Sequence, residues 1–150
     1  MKPETFDIGL INLEVGKNVQ ISASSNVYGC KIGDNVFIGP FVEIQKNTKI
    51  GSGTRIHSHT FICEYVEIGE SVFIGHGVVF TNDLLRDGPA RGDLSKYRST
   101  KIGENVSIGS NTTVLPVSIC PNVVIGAGSV VTKDITIPGI YSGNPTKKHE

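Results

Sequence analysis

Tryptophan is absent from this chain, methionine occurs once, and aromatic residues make up 7% of its 150 residues. A core built on large rings is therefore excluded, and the interior must be filled by aliphatic and small side chains. Excess charge of either sign is missing as well. Fourteen basic residues balance fourteen acidic ones with no block of like charge, so neither nucleic acid nor an anionic membrane surface has an electrostatic footprint to hold. No run approaches the roughly 18 apolar residues needed to span a bilayer, and the start, Met1-Lys2-Pro3-Glu4-Thr5-Phe6-Asp7, lacks the apolar centre of a secretory signal. The expected location is the cytoplasm. Cys30, Cys63 and Cys120 are odd in number, far apart and free of any CxxC spacing. That argues against a disulfide framework and against a zinc site, and leaves small reduced residues near corners of the fold.

What the chain does have is a period. From Ile32 an aliphatic or aromatic residue returns at every sixth position, at Ile38, Ile44, Ile50, Ile56, Ile62, Ile68, Ile74 and Phe80. Four places after each of the first eight stands a small β-branched residue: Val36, Val42, Thr48, Thr54, Thr60, Val66, Val72 and Val78. Six matches neither the helical 3.6 nor the strand 2, so the unit is a short strand plus a tight corner, wound into an all-β parallel β-helix. Three hexapeptides, 18 residues, close one triangular coil, and each coil rises by the spacing of paired strands, about 4.8 Å. The uncharged columns point inward, where an unpaired charge would cost several kcal/mol.

The ladder extends beyond this run. Upstream it includes Val15, Ile21 and Val27; downstream it resumes at Ile102, Ile108, Val114, Ile119, Ile125 and Val131, with Val27 to Ile32 and Val114 to Ile119 each one residue short. The whole of 1–150 reads as one domain of about seven coils. Between Phe80 and Ile102 lie 22 residues instead of six, so a loop, 82–100, leaves the coil with Arg86, Arg91, Lys96, Tyr97 and Arg98 in it. Long loops in compact domains carry function more often than not. A thin prism has no deep pocket of its own, so clefts must form between neighbouring copies.

The run Ile125-Gly126-Ala127-Gly128-Ser129-Val130-Val131-Thr132-Lys133-Asp134-Ile135, followed by Ser142-Gly143-Asn144-Pro145, resembles the C-terminal signature of hexapeptide-repeat acyltransferases that use an acyl-CoA. A narrower resemblance covers Ile38 to Gln45, Ser58 to Glu64 and Gly75 to Asp83. These segments are similar to the N-acetyltransferases that act on the 3-amino group of nucleotide-linked deoxyamino sugars. The resemblance implies a left-handed β-helix, assembly as a homotrimer, and acetyl transfer from acetyl-CoA to a dTDP- or UDP-linked 3-amino sugar for surface polysaccharide. The loop departs from the pattern, reading Leu84-Leu85-Arg86-Asp87-Gly88-Pro89-Ala90-Arg91 where relatives have a Pro-Arg pair soon after Asn-Asp.

Glu64 and Asn82 are 18 residues apart, each two places after its aliphatic residue, so they stack on one corner at adjacent levels. A carboxylate and a carboxamide there suit amine acylation: Glu64 holds the ammonium, and Asn82 orients the amine or steadies the tetrahedral intermediate. The resemblance implies the same two residues contact the sugar, with the departing CoA sulfur taking the proton. His76 is the third catalytic candidate, and His59, Phe61, Asp83, Arg86 and Arg91 are candidates for sugar-nucleotide contact. If His76 or His59 is a general base, the chain is instead a sugar O-acetyltransferase. For acetyl-CoA the resemblance implies Ser110, Ala127 and Gly128 along the pantetheine, Thr132 and Lys133 near the phosphates, and Asn144 and Pro145 beside the adenine. No metal is expected: a zinc hydratase on this solenoid needs clustered His ligands, and no His-x4-His occurs. A purely structural solenoid that displays threonine ladders is disfavoured because Thr48, Thr54 and Thr60 occupy an inward column.

Overall fold

The computed structural model describes residues 8–149. Parallel strands of two to four residues stack into three sheets that form the faces of a prism. The first face comprises Leu10–Ile11, Asn26–Tyr28, Glu43–Ile44, Phe61–Ile62, Val79–Phe80, Thr113–Val114 and Val130–Val131. The second comprises Glu14–Val15, Lys31–Ile32, Lys49–Ile50, Val66–Ile68, Thr100–Ile102 and Ser118–Ile119. The third comprises Gln20–Ile21, Phe37–Ile38, Arg55–Ile56, Phe73–Ile74, Ser107–Ile108, Val123–Ile125 and Gly139–Ser142, with Lys147–Lys148 turned back antiparallel at the end. The chain visits the faces in that order on every coil. This is the all-β, left-handed parallel β-helix that the period of six and the resemblance predict.

Like stacks on like. Ile38, Ile56, Ile74, Ile108 and Ile125 pair in register down the third face, and each is at most 1% exposed. A buried isoleucine contributes about 1.5–3 kcal/mol, so a narrow column of aliphatic side chains suffices without tryptophan. Three of the inward threonines keep their hydroxyls satisfied on the next coil, Thr54 and Thr60 donating to the carbonyls of Gly69 and Gly75 at 2.9 Å and Thr48 to that of Cys63 at 3.2 Å, whereas the buried Thr100 hydroxyl has no partner. Threonine thus replaces valine in the column at little cost.

The corners are as constrained as the faces. A Cβ on Gly51 would lie 2.4 Å from the backbone of Gly69, so the coils approach too closely there for any side chain. At many corners one residue takes a left-handed conformation, usually asparagine, as at Asn18, Asn35, Asn47, Asn105, Asn111 and Asn122. Three aromatic rings break that rule: Phe41 (φ 57°), His59 (φ 64°) and Tyr65 (φ 66°).

The long insertion leaves the first face after Phe80 and rejoins at Thr100, which is buried and opens a strand of the second face. Its return is fixed by Arg98 N–H donating to the Asn82 carbonyl at 2.8 Å and Thr100 N–H to the Tyr65 carbonyl at 3.1 Å. Within it a single turn of 3₁₀-helix, Leu94–Lys96, is capped by the Asp93 carboxylate, which accepts from Ser95. Those bonds hold the Asp93 carboxyl below its ordinary range. Cys30 and Cys63 are buried and Cys120 half-buried, all as free thiols. No helix among the described residues is long and apolar enough to cross a membrane.

Candidate active site

The two edges that bound the first face carry most of the residues singled out by sequence. At the edge from the first to the second face, Ile62 and Phe80 occupy neighbouring strands, so the residues two places on, Glu64 and Asn82, lie one above the other. The Asn82 amide donates to the main-chain carbonyl of Glu64 at 3.4 Å. The spacing of one coil therefore does stack them, although the amide meets the backbone of Glu64 and not its carboxylate.

That carboxylate is largely buried at the corner. Glu64 is 9% exposed, Lys46 Nζ stands 3.9 Å from Oε1, and Oε2 is buried without a hydrogen-bond partner. The Glu64 N–H donates to Gln45 Oε1 at 3.3 Å, and Gln45 Nε2 to Glu43 Oε1 at 3.3 Å. Tyr28 lies on the same side, and burial, then the Glu43 and Glu64 carboxylates, raise its phenol above the ordinary value. Lys46 is a site neighbour not singled out from sequence, yet the signal was present, since it precedes Glu64 by 18 residues.

Beneath the loop, beside Asn82, a groove of about 370 Å³ is lined by Phe61, Val79, Asn82, Asp83, Leu85 and Tyr97. Phe61 and Asp83 thus join Asn82, while the Asp83 carboxylate also accepts from Leu85 N–H at 2.8 Å. Arg86 and Arg91 do not line this groove; they border two smaller hollows within the loop, each shared with Asp87 and Lys96. Thr132 and Lys133 are exposed just after Val131, which pairs below Val114 and so continues the Glu64–Asn82 edge.

His59 and His76 lie elsewhere, at the edge from the third to the first face. Ser58, His76, Ser110 and Ala127 form a column there: Ser58 Oγ and His76 Nδ1 are 2.9 Å apart, and His76 N–H donates to Ser110 Oγ at 3.1 Å. His59 and Phe41 stack one coil apart beside it, ring centroids 5.1 Å apart. Gly128 continues the same edge with a φ of 70° and open space where a Cβ would be. His57 occupies a position that is glycine on neighbouring coils and sits between Phe73 and Phe37, its centroid 5.0 Å from that of His76. Burial, then the nearby His76 and Arg55, lower its pKa. Sequence gave His57 no role, and its contacts with the phenylalanines accord with packing. Asn144 and Pro145 are exposed in the turn after Gly139–Ser142.

Within one chain, then, Glu64, Asn82, Lys133 and the loop share one edge, while His59, His76, Ser110, Ala127 and Gly128 share the other. Side-chain charge differs sharply between faces. The outward column of the second face is Glu14, Lys31, Lys49, Glu67 and Lys101, internally paired at 3.1 Å (Lys31 to Glu14) and 3.8 Å (Lys49 to Glu67). The first face presents Asn26, Glu43, Phe61, Val79, Thr113 and Val130. No group of three or more metal-ligating side chains comes together among the described residues.

Comparison with known proteins follows the same lines. The bacterial transferase hexapeptide model (six repeats) matches residues 12–46, 29–64 and 47–82, and the hexapeptide repeat of succinyl-transferase matches 99–133. The bifunctional protein GlmU of Acinetobacter baumannii is 41% identical over 123 residues, 81% of this chain but 25% of its own length. GlmU of Buchnera aphidicola is 32% identical over 148 residues, covering 93% of this chain and 32% of its own length. The chain thus spans a quarter to a third of these curated relatives. Among solved structures, a point mutant of AntD, an N-acyltransferase from Bacillus cereus in complex with dTDP and coenzyme A, superposes with a TM-score of 0.77 at 28% identity, covering 91% of this chain and 81% of that one. PerB from Caulobacter crescentus, in complex with CoA and GDP-perosamine, shares the fold with a TM-score of 0.75 at 21% identity, over 88% of this chain and 57% of that one.

Proposed function

Because the chain belongs to the hexapeptide-repeat acyltransferases, we propose that it transfers an acetyl group from acetyl-CoA to the C3 amine of a dTDP- or UDP-linked 3-amino deoxysugar, as a cytoplasmic homotrimer supplying surface-polysaccharide synthesis. The observation that carries the reading is the stacked pair Glu64 and Asn82 at the edge where the loop departs, with the groove of Phe61 and Asp83 beside it. AntD, solved in complex with dTDP and coenzyme A, supports a nucleotide-linked acceptor.

The edge of Ser110, Ala127 and Gly128 fits an extended pantetheine, because its small side chains leave backbone groups open to a ligand lying along the coils. Lys133 and Thr132 would meet phosphate oxygens, with Asn144 and Pro145 beside the adenine. In the reaction the amine nitrogen attacks the thioester carbonyl carbon, the new C–N bond forms, the C–S bond breaks, and the amine proton leaves with the thiolate as free thiol. Glu64 holds the incoming ammonium until its excess proton passes to solvent, and Asn82 aligns the resulting free amine against the thioester. Arg86 and Arg91, both on the loop, would meet the nucleotide phosphates once the loop folds over the acceptor.

A second reading rests on the 2.9 Å contact of Ser58 with His76 Nδ1. It orients that imidazole as a general base would need, which is the arrangement for a sugar O-acetyltransferase. Purified protein incubated with acetyl-CoA and a panel of dTDP- and UDP-linked 3-amino sugars should release free thiol. Silence across the amines, with release on hydroxyl acceptors that is lost in His76→Ala, would replace the first reading with the second.

A further inference from the structure

A carboxylate that captures an amine as its ammonium also holds it in the form that has no lone pair to attack with. Glu64 does not act alone in this. Glu43 stands one coil below and is tied to it through Gln45, whose Nε2 donates to Glu43 Oε1 at 3.3 Å while its Oε1 accepts from Glu64 N–H at 3.3 Å. Two anions on one corner favour the charged amine, so turnover needs a group that opposes them.

The column that carries Glu64 contains such a group. Lys46, Glu64 and Asn82 each stand two places after the inward residue of the first face, Ile44, Ile62 and Phe80, and so follow one another along a single edge. Lys46 Nζ is 3.9 Å from Glu64 Oε1 and half exposed, well beyond the roughly 2.7–2.9 Å of a charge-assisted hydrogen bond. It faces the carboxylate without clasping it. On its other side lies a hollow of about 470 Å³ lined by Ile11, Asn12, Asn26, Tyr28 and Gly29. Gly29 is the residue one coil below Lys46, and a Cβ there would lie 2.6 Å from Lys46 Cβ, so the bare glycine leaves the lysine room to move. Glu64 Oε2 is buried with no hydrogen-bond partner, which leaves Oε1, the oxygen that Lys46 faces, as the one a newcomer reaches when the lysine withdraws.

We propose that Lys46 is a removable counter-cation, which yields its place beside Glu64 Oε1 to the acceptor's ammonium, withdraws toward the hollow below, and by its charge drives that ammonium to release a proton and become the nucleophile. The inference rests on reading Glu64 as the counter-ion of the acceptor amine. The exchange replaces one cation by another, so the carboxylate is never left uncompensated; the ammonium then gives one proton to solvent, and the electron pair of that N–H bond stays on nitrogen. Lys46 acts through Glu64 and the bound amine and touches neither breaking nor forming bond, so it is a positioning residue. The other titratable groups on this corner are Glu43 and Tyr28 from the coils below, Cys63 and Tyr65 beside Glu64, and Asp83 and Tyr97 from the loop. None of them supplies positive charge. Burial pushes the Cys63 thiol up to about 12 and, followed by Glu43 and Glu64, raises the Tyr28 phenol, so both stay neutral near pH 8.

The test is the pH dependence of turnover at saturating amino-sugar nucleotide, which reports the ionisation of the bound amine. Lys46→Met should raise the midpoint of kcat by roughly one pH unit, because removing a like charge stabilises the ammonium. Linkage fixes the companion change: below that midpoint KM for the acceptor should fall about tenfold, since one pKa unit is a factor of ten in relative affinity for the charged form. Lys46→Arg, which keeps the charge, should keep the wild-type midpoint. A role confined to packing would move Tm and leave the profile in place. Circular dichroism checks folding, and if Lys46→Met does not fold, Lys46→Gln takes its place in the same measurement. An unmoved or lowered midpoint in the neutral variant, or an equal rise in Lys46→Arg, overturns the inference while thiol release leaves the acetyl-transfer reading standing. Absence of thiol release by the wild type on every amine overturns both.

Discussion

Replacing Glu64 by glutamine should separate stability from catalysis. The Lys46–Glu64 pair is 3.9 Å apart, with the glutamate side chain 12% exposed and the lysine 52%. At an effective dielectric near 20 the attraction is about 4 kcal/mol, but taking a carboxylate out of water costs several kcal/mol. Here that cost is not recovered, since Oε2 has no partner within the chain. The half-exposed lysine is screened further, so the pair is worth within about 1 kcal/mol of zero. Glutamine keeps the shape and removes both the attraction and the penalty, so Tm should move by no more than roughly 4 °C for a chain of this size. Catalysis should respond differently. An amide cannot neutralise an ammonium, and losing one such preorganised group costs about 10²–10³ in kcat. Thermal unfolding followed by circular dichroism and thiol release from acetyl-CoA are the two assays. A variant that melts much earlier while retaining kcat would show that Glu64 is structural, and the stacked-pair argument would fail. Lys46→Ala should lower Tm more than Glu64→Gln does, because it leaves the carboxylate alone, and adding Glu64→Gln to it should restore most of the loss.

Asn82→Ala should lower kcat by about 10²–10³ with Tm little changed, since the amide it removes makes a long 3.4 Å bond; unchanged turnover would exclude it from the site. Gly51→Ala should destabilise by about 1–3 kcal/mol through overpacking on Gly69, seen as an earlier urea midpoint; an unchanged midpoint would mean the coils yield. Burial pushes the Cys30 thiol up to about 11 and the Cys63 thiol to about 12, so at pH 8 iodoacetamide should modify Cys120 first, as read by peptide mass spectrometry; early labelling of Cys63 would show that this corner opens. His57 has a lowered folded pKa, so the unfolded chain binds more protons and stability rises with pH. The contribution is present above the ordinary histidine value of about 6.5 and is lost as pH falls below it. His57→Phe should flatten that acid-side decline in Tm, and an identical slope in the variant would assign it to another group.

The winding was legible because a prism wall repeats the same environment at every level. Ile38, Ile56 and Ile74 share one site type, so one position predicts the next, and the 18-residue coil places Glu64 over Asn82 with no further information. The same arithmetic reaches Lys46 and Ser58, 18 residues before Glu64 and His76. What period alone does not reveal is which way a polar side chain turns at a corner. Glu64 is buried while its partner Lys46 is half exposed, and the neighbours it meets there are Gln45 and Tyr28 from lower coils. The loop itself has no repeat to constrain it. Composition groups its arginines with the site, yet Arg86 and Arg91 border hollows shared with Asp87 and Lys96, which pair with each other at 3.4 Å. Periodicity is also silent on distance between edges: His76 and Asn82 are six residues apart, a single repeat, yet that repeat is the width of a face. Nearness in sequence here separates two groups within a chain, because one repeat carries the backbone from one edge of the first face to the other.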